Sequence, residues 1–171
     1  GRGATGGQGH VNARMTLEAV GDSPVLRCAI ALDNQAQDHR LRLRLPTGLR
    51  TRPLLAGAQF GVVERGTVME GGHGERPLPT FPAHGLVAAD GAAILLEHVI
   101  EYELLDGPEL ALTLLRATGL ISRDRHPYRD EPAGPVIPAP TGQGLGTRRV
   151  SFALLPTSEG IPSAAVLAAL E

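Results

Sequence analysis

The chain has 171 residues, of which 42% are hydrophobic and 20% charged. That balance suits one globular domain with a real core and excludes an intrinsically disordered segment. No apolar run approaches the ~20 residues that a membrane-spanning helix requires, and the formal net charge of -2 lacks the basic excess of a dedicated nucleic-acid binder, so neither a membrane nor a nucleic acid is expected as a partner.

Residues 1–12, GRGATGGQGHVN, are rich in Gly and are expected to form a flexible N-terminus ahead of a single domain over 13–171. Two-residue periodicity then sets in. ARMTLEAV places Met15, Leu17 and Ala19 on one face and Arg14, Thr16 and Glu18 on the other. VLRCAIALD does the same with Leu26, Cys28, Ile30 and Leu32, and GDSP between them reads as a turn. A third segment, DHRLRLRLPTG, alternates Arg40, Arg42 and Arg44 with Leu41, Leu43 and Leu45 and stops at Pro46. The alternation predicts a strand with leucines toward the core, and three strands in a row on short connections predict an antiparallel meander. Glu101 and Glu103 share a strand face and are candidate cross-strand partners for the arginines.

Residues 65–84 read as a long Gly/Pro-rich connection. Strands resume over about 85–90, 92–105 and 109–117, with hairpin turns expected at Asp90-Gly91 and at DGPE, 106–109. The last of these segments is apolar on both faces (Leu110, Ala111, Leu112, Leu114, Leu115) and is expected in the interior of a sheet. A second Pro/Gly-rich loop covers 122–146. RRVSFALLP, 148–156, is another strand, with Val150, Phe152 and Leu154 on one side. SEGIPSAAVLAALE has Pro162 near a helix start and an Ala/Leu-rich body, which predicts a short C-terminal helix. It carries no C-cap signal, so the natural protein is expected to continue. The sum is a mainly β chain folded as an antiparallel sandwich.

Few residues point to chemistry. There is no G-x-S-x-G, and Ser151 and Ser163 fall in a strand and at a helix start. The six histidines have no metal-ligand spacing. TGQGLGTRR, 141–149, fits neither a Walker loop nor a dinucleotide fingerprint, because a strand rather than a helix follows it, and its glycines are read as permitting a sharp path into that strand. The single cysteine, Cys28, excludes an internal disulfide and is expected in the core. With no glycosylation sequon present, the chain fits a cytoplasmic location. The most polar stretch is the loop RDRHPYRDE, 123–131. Aromatics are scarce, which disfavours a sugar-stacking platform, but an autonomous carbohydrate-binding β-sandwich module stands as an alternative.

DHRLRLRLP, FGVVER, PLPTFPAHGLVAADG, ILLEHVIEYELLDG, ELALTLLRATGLISR and PTGQGLGTRRVSFALLP occur in this order. Together they resemble the C-terminal β-domain of glycoside hydrolase family 38, the α-mannosidases and mannosylglycerate hydrolases, over about residues 14–156. The resemblance implies a supersandwich of the galactose-mutarotase-like type. It also implies a parent enzyme that hydrolyses α-mannosidic bonds with retention. The family's zinc ligands and Asp nucleophile lie in an N-terminal barrel outside this sequence, so no catalytic residue and no cofactor are expected here. The expected partners are that missing catalytic domain and, through it, a mannoside; a homo-oligomer is also possible. The resemblance makes Arg116, Arg123 and Arg125 candidates for the rim of the substrate pocket, where guanidinium groups can pair with vicinal hydroxyls or a carboxylate. Pairing with Asp124, Asp130 or Glu131 is the structural alternative for the same arginines.

Overall fold

The computed structural model describes residues 9–46, 54–65, 71–72, 74–89, 91–105, 109–132 and 134–156. The C-terminal helix expected within 157–171 lies outside them, as does Asp90 of the first hairpin turn.

Two antiparallel sheets face each other. The larger holds seven strands in the order β1 (Val11–Ala19), β2 (Leu26–Asn34), β13 (Gly146–Pro156), β8 (Ala92–Leu96), β7 (Leu86–Ala89), β4 (Leu54–Ala58) and β5 (Gly61–Arg65). The smaller holds β3 (Arg40–Pro46), β10 (Glu109–Arg116), β9 (Glu101–Leu105) and β6 (Thr80–Pro82). A two-stranded ribbon of β11 (Leu120–Ser122) and β12 (Ile137–Pro138) closes one end, followed by a 3-10 turn over Pro140–Gln143. The chain is therefore the antiparallel β-sandwich that its periodicity predicts.

The core lies between the sheets. Cys28, Ile30, Leu32, Val150, Phe152, Ile94, Leu96, Val87 and Leu54 come from the large sheet; Leu110, Leu112 and Tyr102 oppose them, with Leu41, Leu43, Leu45 and Phe81 packed around. Burial pushes the Cys28 thiol up from its ordinary range. The doubly apolar segment is indeed interior, since β10 pairs with both β3 and β9.

Three expectations are corrected. The first strands are not a three-stranded meander. β2 already has β1 on one edge and β13 on the other, so β3 has no free edge to join and crosses to the smaller sheet. Asp38 makes the crossing in a left-handed conformation at φ 52. The stretch 92–105 is two strands rather than one: Glu97–Ile100 carries the chain from the large sheet to the small one, with Val99 buried on the way. Met15 and Leu17 do lie on the core-facing side of β1, but they are exposed, because the smaller sheet does not extend beneath that strand. In addition, β6 falls inside the region read as a long connection, and β4 and β5 were not signalled by periodicity.

The alternating arginines of β3 point away from the core. Arg40 reaches Glu101 at 2.8 Å and Glu103 at 3.1 Å, Arg42 also meets Glu103, and Arg44 forks onto Glu109. Both acids of the first three pairs sit two strands away, on β9. The guanidinium groups reach them by lying across β10, where the facing residues are Ala111 and Thr113. Thr113 accepts from the Arg40 Nε–H and donates its hydroxyl to Glu101. Bonds to Arg44 hold the Glu109 carboxyl below its ordinary range.

Candidate functional site: a cleft lined by arginines

The last β9–β10 pair is Tyr102–Leu112, and from there to Arg116 β10 is paired with β3 alone. Where the strands part, a cleft of about 560 Å³ opens. The small sheet contributes Glu101, Thr113 and Arg116 to its wall, the crossing contributes His98 and Ile100, and the start of β13 contributes Arg148 and Arg149. Phe81, Leu114 and Val150 supply apolar surface.

Charge in this cleft is unbalanced. Glu101 is its one carboxylate, and it is already held by Arg40 at 2.8 Å and by Arg116 at 2.9 Å. Arg148 donates from Nε to the Gly144 carbonyl at 3.2 Å. Among the described residues, no carboxylate lies within ion-pair distance of Arg148 or Arg149. His98 accepts the Ser151 backbone N–H at Nδ1, 3.3 Å away. The outcome is a fan of guanidinium donors over a partly apolar floor. Such a surface can orient a polyhydroxylated or anionic group, and among the described residues that line it Glu101 is the one carboxylate.

A polar clasp beside the cleft fixes the loop behind it. Asn34 is wholly buried and donates from Nδ2 to the Gln143 and Gly144 carbonyls, both at 3.1 Å, while its Oδ1 accepts from Ala36 N–H. Gln143 in turn accepts the Asp38 backbone N–H and donates Nε2–H to Asp38 Oδ1, each at 2.8 Å. The Gln143 bond, followed by the Gly119 N–H, holds the Asp38 carboxyl below its ordinary range. This clasp explains TGQGLG. A Cβ on Gly142 would stand 2.6 Å from the Thr118 carbonyl oxygen, and Gly144 has φ 57. The sequence marked those glycines as a sharp backbone path; it did not mark Gln143, whose partners are 105 residues away.

Of the three predicted rim arginines, Arg116 lines the cleft, at the end of β10. Its partner is Glu101 rather than Asp124, Asp130 or Glu131. Arg123 and Arg125 sit on the exposed loop beyond β11 and are not among the residues lining it. That loop docks on the segment before β6 through Arg76–Asp130 and Arg129–Glu75. Arg148 and Arg149 are the functional candidates that sequence reasoning passed over. The available signal was Arg148 itself, which shares the strand parity of Val150 and Phe152 and so occupies a core-facing position with a charged group.

Comparison with known proteins is informative at the level of structure. No family model matches the chain, and no curated protein matches it. Among solved structures, an α-mannosidase from Enterococcus faecalis V583 superposes with a TM-score of 0.72 at 25% sequence identity, over 88% of this chain. The chain has the fold of part of an α-mannosidase. It spans 16% of that enzyme's length, which is what a domain of a larger protein does. The structural neighbour agrees with the resemblance seen in the ordered sequence fragments. Among the described residues, no helix is long and apolar enough to cross a membrane.

Proposed function

We propose that this chain is the C-terminal β-domain of a retaining, zinc-dependent α-mannosidase of glycoside hydrolase family 38, and that it is not catalytic by itself. The superposition on the α-mannosidase, over most of this chain and a small part of that one, supports the reading most directly. The parent would cleave α-mannosidic bonds through a covalent glycosyl intermediate formed on a carboxylate. Its zinc and nucleophile would belong to a catalytic domain outside this sequence. The described residues bring together no three His, Cys, Asp or Glu side chains with which to hold a metal ion.

In this reading the sandwich supports the catalytic domain and borders the substrate cleft. Arg116 is the rim candidate best placed to do so. Glu101 fixes one side of its guanidinium, leaving the remaining N–H groups free to meet sugar hydroxyls. Arg123 and Arg125, on the exposed loop after β11, remain candidates for contact with the catalytic domain or its substrate.

The test is to assay the chain with an aryl α-mannoside in the presence of zinc. No turnover above background is expected; turnover would sink the non-catalytic assignment. Titration with mannose oligosaccharides separates a support domain from an autonomous carbohydrate-binding module, because the module must bind sugar alone.

A further inference from the structure

Among the described residues, β1 is an edge strand of the larger sheet. It pairs with β2 through nine consecutive residues, Val11 to Ala19, without a bulge. It contains no proline, and the chain contains no lysine, so two common devices that blunt sheet edges are absent. Met15 and Leu17 are 51% and 55% exposed although they share the face that is core elsewhere in the sheet. Alternate residues along such an edge direct N–H and C=O outward, ready for another strand.

The sequence of β1 is self-complementary in one register. Antiparallel pairing of two identical strands must keep inward- and outward-pointing residues matched, so the paired residue numbers sum to an even value. Centred on Thr16, the register sets Arg14 against Glu18 of the second copy twice over. On the opposite face it sets Met15 against Leu17 and Ala13 against Ala19. Moving the centre to Met15 places Arg14 opposite Thr16 and Glu18 opposite Asn12. Moving it to Leu17 places Arg14 opposite Val20 and Glu18 opposite Thr16. Neither shift pairs opposite charges, so the Thr16 register is favoured by both faces of the strand.

We propose that β1 is a homodimerisation edge, with two copies of this chain joined antiparallel about Thr16. The two seven-stranded sheets then run into one another across a two-fold axis. The overhanging Met15 and Leu17 of each copy cover those of the other. The interface is isologous and closes at two copies. This inference stands on the geometry of β1 and does not depend on the mannosidase reading.

Charge reversal tests it. Arg14→Glu sets acid against Glu18 at both symmetry-related pairs, and Glu18→Arg sets base against Arg14 at both. Opposed like charges across strands disfavour pairing, and each variant alone is expected to weaken dimerisation about tenfold, measured by sedimentation equilibrium at low salt. Mixed one to one, the two variants recover the dimer as a heterodimer, because every reversed residue then faces an opposite charge. Circular dichroism melts establish that each variant is folded. Hydrogen exchange of the wild-type chain is expected to show β1 amides that gain protection as concentration rises. A wild-type chain that stays monomeric at about 100 μM, where an interface of Kd in the micromolar range is occupied, overturns the proposal. So do variants whose mixture does not reassociate. A ladder of species beyond the dimer, as head-to-tail pairing of β1 with the β5 edge would give, overturns it as well.

Discussion

Replacing Asn34 by Ala probes the clasp that holds the loop beside the cleft. The side chain is 0% exposed and makes three hydrogen bonds: two donated from Nδ2 to the carbonyls of Gln143 and Gly144, and one accepted by Oδ1 from Ala36 N–H. Alanine removes all three and takes that partner from the Gln143 carbonyl, the Gly144 carbonyl and the Ala36 amide. At a net ~1 kcal/mol for each hydrogen bond lost from a buried site, the cost is about 3 kcal/mol. For a domain of this size, that lowers the melting temperature by roughly 6–12 °C. The assay is a thermal melt followed by circular dichroism, with Gln35→Ala as the control, since among the described residues the Gln35 side-chain amide bonds only to Asp33, on the surface. A loss under about 2 °C for Asn34→Ala would mean that the clasp does not carry the fold between β2 and the 3-10 turn, and the reasoning would be refuted.

The remaining predictions concern charge and substrate. Asp38 has a folded-state pKa below its unfolded value, so its contribution is complete above the unfolded value of about 4 and is lost as pH falls through the folded value. Asp38→Asn should therefore flatten the acid limb of stability below roughly pH 4, seen as urea midpoints that no longer fall in step with the wild type. Glu103→Ala removes the carboxylate, 11% exposed, that Arg42 shares with Arg40, leaving Arg40 its bond to Glu101, and should cost about 1.5–3 kcal/mol by chemical denaturation. Arg44→Ala breaks a pair that is open to water and should leave the melting temperature unchanged. If the proposed function holds, Arg116→Ala in the parent enzyme should raise KM for an aryl α-mannoside several-fold more than it lowers kcat, the pattern of lost ground-state contact.

The sequence shows which segments are strands more clearly than it shows what they pair with. The Arg/Leu alternation of β3 follows from local sterics and burial, and it survives intact. The partner of β3 does not follow from it, because the edge of β2 is filled by a strand more than a hundred residues away. The same separation hid the clasp. Gln143 looks like a loop residue until Asp38 is brought beside it. Met15 and Leu17 carry a core pattern that the four-stranded sheet is too narrow to cover. The candidate site was legible only in part. Arg116 came from resemblance and lines the cleft, whereas Arg148 and Arg149 enter it through the pairing of β13 with both β2 and β8.

The central claim is that this chain has the architecture of an α-mannosidase domain without the chemistry. The measurement that tests it most directly is hydrolysis of an aryl α-mannoside by the purified, folded chain with zinc supplied. The account predicts a rate equal to that of buffer with zinc alone. Zinc-dependent turnover that scales with the concentration of the chain would contradict it.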